Sequence, residues 1–140
     1  MNSEQGIVTS GDSGAVKREG PVRSYRDLLV WQKGIDLVSE CYKLSGRFPR
    51  DERFGLTNQL RRAAVSVPAN IAEVQGRGSP KAFLQFLWIA NGSLTEVETH
   101  LAIAARLGFV SADDCTVPLA LAEEVGRMLT GLRRSLDKTV

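Results

Sequence analysis

The stretch VPANIAEVQGRGSPKAF, residues 67–83, combines residue types that can bind phosphate or take part in catalysis. Residues 76–81 lead into a predicted helix start, where free backbone N–H groups, the helix dipole, Arg77 and Lys81 attract anions. The segment lacks the order of a Walker A loop, and no strand precedes it. A glycine-containing turn between two helices is the simpler interpretation, and it disfavours nucleotide hydrolysis.

Histidine and cysteine are too sparse for the common metal and nucleophile patterns. A di-iron bundle needs Glu-x-x-His on two helices, whereas His100 is the single histidine and follows Glu96 at a spacing of four. Cys41 and Cys115 form no C-x-x-C pair, and neither has a histidine nearby in sequence. We therefore expect no metal, no cofactor and no enzymatic activity.

Polar residues interrupt the apolar pattern around Pro68, which lacks an amide hydrogen and should kink its helix at a cost of about 3 kcal/mol. Asn70 and Glu73 follow closely enough to satisfy freed backbone groups or to reach Ser93 and Glu96 on the next helix. We favour a structural polar network of these four residues that fixes the pairing of the two helices. A recognition site at the kink is the alternative.

Apolar residues that recur every three or four positions predict the helices that position these groups. The first helix spans about residues 25–46, and its apolar face contains Leu28, Trp31, Ile35, Val38 and Tyr42. The second follows Asp51, whose side chain can cap backbone N–H groups, and carries an apolar seam over residues 56–74.

Two further helices complete the pattern. Ser79 and Pro80 are a strong helix start, and Gly108 stands where a left-handed stop would end this third helix. Ser111 and the acidic pair at 113–114 begin the fourth. No strand pattern remains, and the short connections predict an all-α, antiparallel up-and-down four-helix bundle.

Composition fits one soluble domain, since the chain has 140 residues, of which 43% are hydrophobic and 24% charged. Residues 1–22 are rich in Gly, Ser and charge and predict a flexible tail, so residues 23–140 form the bundle domain. The sequence contains no signal-peptide or membrane-helix pattern, and its two cysteines suit a reducing compartment. We expect a cytoplasmic protein.

Charge alternates in blocks along the chain. Residues 47–81 contain seven basic and three acidic residues, and residues 82–124 contain one basic and six acidic residues. Residues 125–140 are basic again. This pattern fits either electrostatic complementarity between identical subunits or basic faces presented to a polyanion, and the net charge of +2 does not decide between them. If RNA binds, the residues that we expect to contact it are Arg61, Arg62, Arg77, Lys81, Arg133 and Arg134.

Four segments carry a family resemblance: YRDLLVWQKGIDLV, LTNQLRRAAVSVPANIAE, GRGSPKAFLQFLWIANGSLTEVETHL and ARLGFVS. In this order and spacing, over about residues 25–134, the chain resembles the bacterial four-helix bundle proteins named for reading frames within intervening sequences of 23S ribosomal RNA genes. That family usually reads N-I-A-E-G-x-G-R. Here Val74 replaces the first glycine, so a side chain should pack where relatives have none.

The resemblance implies a ring-shaped homo-oligomer, a pentamer, without catalytic residues. The fold it implies is also similar to the accessory variability protein of diversity-generating retroelements, a basic pentameric barrel that associates with a reverse transcriptase and its RNA. The expected function is therefore a non-enzymatic scaffold for structured RNA or an RNA–protein complex, in which the ring multiplies weak phosphate contacts. The alternative is a protein–protein interaction adaptor that binds no nucleic acid.

Overall fold

The computed structural model of this chain describes residues 25–75 and 79–137, and this part is helical without strands. The elements are the four helices α1 (Leu29–Ser45), α2 (Leu56–Gln75), α3 (Pro80–Arg106) and α4 (Thr116–Asp137). Single 3-10 turns at Tyr25–Asp27, Arg50–Glu52 and Asp113–Cys115 precede α1, α2 and α4. The four predicted helices are confirmed, whereas the predicted tail lies outside the described residues.

Sequential helices run antiparallel, and α4 packs against α1 to close the bundle. Ion pairs support this closure, with Lys33 Nζ 3.6 Å from Glu124 Oε1 and Arg47 Nη2 3.1 Å from Asp114 Oδ2. We call the end with the α1–α2 and α3–α4 connections the first end of the bundle. The second end contains the last turns of α2 and α4 and the first turns of α1 and α3. No helix in the described ranges is long and apolar enough to cross a membrane.

The core consists of one apolar seam from each helix. The predicted seam of α2 is buried from Leu56 to Val74, and that of α3 is buried from Leu87 to Ala104. The buried Val74 side chain lies at the position where the resembled family has glycine.

The buried face of α1 differs from the prediction only in part, because the predicted Leu28, Trp31 and Val38 pack against the core while partly buried. Ile35 and Tyr42 are 41% and 43% exposed, whereas the buried seam contains Val30, Gly34, Leu37, Cys41 and Leu44. The reason is a close approach of α1 to α2, because a Cβ atom added to Gly34 would lie 3.4 Å from the Cβ of Pro68. Pro68 itself lies inside α2, which continues as helix on both sides of it.

The helix ends follow the expected capping chemistry with one correction. Ser79 Oγ accepts the Ala82 N–H at 3.2 Å, and Gly108 has the left-handed φ of 79° just after α3. At α2 the cap that we expected from Asp51 is instead supplied by Glu52, whose Oε1 accepts the Leu56 N–H at 3.0 Å.

The turn before α4 is fixed by a reciprocal pair of hydrogen bonds. Ser111 Oγ accepts the Asp114 N–H at 3.1 Å, and Asp114 Oδ2 accepts the Ser111 N–H at 2.8 Å. The Ser111 N–H and hydroxyl, followed by Arg47, hold the pKa of Asp114 below its ordinary value. The same carboxylate therefore closes the turn before α4 and binds Arg47, two residues after the end of α1.

Candidate nucleic-acid interface

A short chain of hydrogen bonds joins α2 to α3 near the middle of both helices. Asn70 Nδ2 donates to the Ser66 carbonyl at 2.8 Å and to Ser66 Oγ at 3.0 Å. Ser93 Oγ, from a side chain that is buried on α3, donates to the same Ser66 Oγ at 2.7 Å. The structure thus brings the predicted Asn70 and Ser93 together through a residue that we did not single out from the sequence.

The two glutamates of the predicted network lie at the surface, and Glu96 lines the same groove as Ser66. Glu73 and Glu96 are both exposed, and Glu96 lines a groove of about 340 Å³ between α2 and α3 with Arg62 and His100. The His100 Nδ1 atom is buried and has no hydrogen-bond partner among the described residues. Ser66 has a recognisable signal in the sequence, because it lies one helical turn before Asn70 on the same face.

Arg61 and Arg62 are adjacent on α2 but point to different neighbours. Arg61 reaches α1, where its Nε donates to Ser45 Oγ at 2.8 Å and its Nη2 donates to the Tyr42 carbonyl at 3.3 Å. Its guanidinium also lies 4.5 Å from the centre of the Tyr42 ring. Arg62 is exposed and faces the groove toward α3. One of the two is therefore partly structural, while the other is directed to solvent.

The other described members of the predicted basic set lie near the second end. Lys81 is exposed in the first turn of α3, and Arg134 is exposed beside a groove of about 640 Å³ between α3 and α4. The Arg133 guanidinium lies 4.2 Å from the centre of the Trp88 ring, and its Nη1 is buried without a hydrogen-bond partner in the described part of the chain. Arg77 lies outside the described residues.

Trp88 is the functional candidate that sequence reasoning missed. Its side chain is 57% exposed although it is large and apolar, and it follows Lys81 by seven residues, which places both on one face of α3. The Arg133 guanidinium contacts the Trp88 ring, and Lys81 and Arg134 lie toward the same end of the bundle. We call these four residues the Trp88 patch. The sequence signal for Trp88 is its position on the face of Lys81. The large residues of the α3 core seam, such as Leu87 and Leu94, lie on a different face.

No ion pair between described residues neutralises the described members of the predicted basic set, which are Arg61, Arg62, Lys81, Arg133 and Arg134. The described pairs are Lys33–Glu124, Lys43–Glu40 and Arg47–Asp114. The basic residues of the predicted set that are described form none with other described residues. Their charge is available to a ligand or to another subunit.

The thiols are buried. Burial raises the pKa of Cys41 to about 12 and also raises the pKa of Cys115, so both thiols stay protonated near neutral pH. Within the described ranges, no three His, Cys, Asp or Glu side chains are grouped so that they could hold a metal ion.

The sequence profile described as 23S rRNA-intervening sequence protein matches residues 26–131, which is most of the chain. The chain therefore belongs to the 23S rRNA-intervening sequence protein family. A similar solved structure is the crystal structure of a protein of unknown function from the S23 ribosomal protein family of Bacteroides thetaiotaomicron VPI-5482, with a TM-score of 0.69. It is 21% identical, over 74% of this chain and 97% of that chain, so the likeness establishes the fold alone. No curated protein matches this chain by sequence.

Proposed function

We propose that the protein is a non-enzymatic oligomeric scaffold in the cytoplasm that binds structured RNA, or an RNA–protein complex such as a reverse transcriptase with its template. The observation that carries the proposal is the Trp88 patch, where an exposed indole lies among basic side chains that have no ion-pair partner among the described residues. Lys and Arg side chains contact phosphates, and an exposed aromatic ring stacks on an unpaired base. This combination fits a loop or bulge of a folded RNA better than a regular duplex.

The contact with Arg133 orients the Trp88 indole for stacking on a base. The guanidinium at 4.2 Å covers one face of the Trp88 ring, and more than half of the side chain remains exposed. A cation–π contact restricts the rotamers of both side chains, so less conformational entropy is lost when a base stacks on the open face.

A ring of identical subunits would repeat the Trp88 patch around one axis, and several weak sites on one RNA gain avidity. We propose a homopentamer, in which acidic residues of one subunit meet basic residues of the next. Asp114 and Glu124 already pair within the chain, so Glu96, Glu98, Asp113 and Glu123 remain for this contact. The family description supports an RNA context, because it refers to an rRNA intervening sequence.

A protein–protein interaction adaptor is the second candidate, and the first end of the bundle favours it. Ile103, Leu107 and Val117 are 40%, 59% and 54% exposed there. Exposed apolar side chains near one another favour burial against a protein. The next subunit of the ring or a different protein could cover them.

The two candidates differ in how variants bind RNA. We expect a labelled RNA hairpin with an unpaired loop to bind the parent protein at about 0.15 M salt, as measured by fluorescence anisotropy. Lys81→Ala/Arg134→Ala removes two exposed charges, so the slope of log affinity against log salt should fall by about 1 to 2. Trp88→Ala should weaken binding about fivefold or more at an unchanged slope.

A matched control removes the same charge elsewhere. Lys43 and Arg106 are exposed and do not line the groove beside Arg134, so Lys43→Ala/Arg106→Ala should bind with nearly the parent slope. Equal loss in both double variants would mean that only net charge matters and would contradict the assignment of the patch. Absence of RNA binding by the parent protein would favour the adaptor.

A further inference from the structure

We infer that an arginine-lined cleft at the first end of the bundle is a binding site for a phosphate group. The cleft has a volume of about 350 Å³ and lies where the α1–α2 connection meets the start of α2. The residues that carry the inference are Ser45, Arg50, Arg53, Thr57 and Arg61, and we call this site the arginine cleft. Only Arg61 belongs to the basic set predicted from the sequence.

The charge of the arginine cleft is strongly positive. It contains three guanidinium groups, and no carboxylate lines it. A nearby arginine, Arg47, is occupied by Asp114 at 3.1 Å, and the adjacent Glu52 carboxylate accepts the Leu56 N–H at 3.0 Å. The Asp114 and Glu52 carboxylates are thus engaged in structural contacts, and the space that the three arginines line has no carboxylate of the described residues in its lining.

Contacts with α1 orient the Arg61 guanidinium before a ligand binds. The Ser45 hydroxyl at 2.8 Å from Nε, the Tyr42 carbonyl at 3.3 Å from Nη2 and the Tyr42 ring beneath the guanidinium fix its orientation. Its Nη1 donates to no described residue. A fixed guanidinium with unused N–H groups matches the oxygens of a phosphate, which it binds through two parallel hydrogen bonds.

The remaining walls supply weaker donors and position a second guanidinium. The Arg53 guanidinium lies 5.0 Å from the centre of the Phe54 ring, a contact that restrains it. Thr57 lies in the first turn of α2, so its hydroxyl and the positive end of the helix dipole face the same region. The helix start alone would not define a ligand site, but the arginines give it a specific charge and geometry.

The inference does not depend on RNA binding at the Trp88 patch, which lies toward the second end of the bundle. The shared chemistry is a phosphate group, whether it belongs to a small phosphate-bearing molecule or to the backbone of an RNA. An experiment with inorganic phosphate therefore tests the arginine cleft by itself.

The test compares thermal unfolding of the full chain in sodium phosphate and in sodium chloride at equal ionic strength and pH. Phosphate should raise the Tm of the parent protein in a saturable manner, because a ligand that binds only the folded state stabilises it. Arg50 and Arg53 are exposed, so Arg50→Ala/Arg53→Ala should keep the fold and the far-UV circular dichroism. We expect this variant to bind phosphate about tenfold more weakly or worse.

The control is Arg106→Ala/Arg127→Ala, which removes the same charge away from the arginine cleft and should keep the parent response. Phosphate also stabilises proteins non-specifically, but that effect would be the same in all three proteins. An equal phosphate response in the parent, the cleft variant and the control would overturn the inference. A parent protein that does not respond would overturn it as well.

Two further measurements identify the source of the phosphate. Adenosine 5′-monophosphate should compete with inorganic phosphate and adenosine should not, because the arginines recognise the phosphate. If Arg50→Ala/Arg53→Ala also loses RNA affinity, the site binds an RNA backbone, and if RNA affinity is retained, it binds a small phosphate compound. A specific phosphate response in a protein that binds no RNA would leave the arginine cleft in place and contradict the RNA scaffold.

Discussion

At the residue scale, Ser66 links the two central helices by one hydroxyl oxygen. That oxygen accepts hydrogen bonds from Asn70 Nδ2 and Ser93 Oγ, so three polar side chains satisfy one another between α2 and α3. The arrangement is selective, because sliding one helix past the other by a turn would separate Ser66 from Ser93 and leave a buried hydroxyl unpaired. The intact network adds little net stability, because its hydrogen bonds replace bonds to water, but losing one member leaves a buried group unpaired and is costly.

Removing the central hydroxyl tests this role. Ser66→Ala should lower the free energy of unfolding by about 1–3 kcal/mol, because the buried Ser93 hydroxyl loses its acceptor. Asn70→Ala should lower it in the same range, whereas Asn58→Ala, at an exposed position of the same helix, should have little effect. Urea denaturation gives these values. If Asn70→Ala unfolded like the parent but lost RNA binding, the site would be a recognition site instead.

At the scale of elements, two apolar stripes on α1 explain why two residues of its predicted buried face, Ile35 and Tyr42, are exposed. The larger side chains, such as Ile35 and Tyr42, form the more conspicuous stripe, but Gly34 and Cys41 mark the buried one. A glycine in the middle of a helix costs helical stability, so its presence opposite Pro68 indicates a close approach of two backbones. Sequence spacing alone gives both stripes and does not reveal the partner helix.

The close approach predicts opposite effects at two helical glycines. Gly34→Leu should lower the free energy of unfolding by about 1–3 kcal/mol, because the side chain would be forced against Pro68. Gly92→Leu is the matched control, since a Cβ at Gly92 meets nothing within 4 Å and leucine favours the helix. This variant should be neutral or more stable by about 0.5–1 kcal/mol. Thermal unfolding of both variants measures the difference, and equal destabilisation would contradict the close contact.

At the scale of the whole molecule, the antiparallel topology distributes the predicted basic residues. Local periodicity and capping determine the helix order, the apolar seams of α2 and α3 and most helix ends, so these features were predictable from the sequence. The separation of Arg61 from Arg133 toward opposite ends follows from the same topology. The stack of Arg133 on Trp88 and the convergence of Arg50 with Arg61 were not predictable, since both depend on tertiary contacts between side chains.

The chain belongs to the 23S rRNA-intervening sequence protein family, and RNA binding through its surface is the function that we propose for it. Under the proposal, the Trp88 patch binds an unpaired base with its neighbouring phosphates, and a ring of subunits repeats it. The exposed apolar residues at the first end would contribute to contacts between proteins. Assembly and RNA binding are therefore linked in the proposed mechanism, because a single patch on a monomer would bind RNA weakly.

The most direct test of an oligomeric RNA scaffold is the mass and composition of its complex in solution. Size-exclusion chromatography with light scattering and absorbance at two wavelengths, in about 0.15 M salt, measures the protein and RNA masses of one peak. We predict several 15.3 kDa subunits, five in the proposed ring, that carry a structured RNA hairpin. A monomer of 15.3 kDa at micromolar concentration, or an oligomer that elutes without the RNA, would contradict this account.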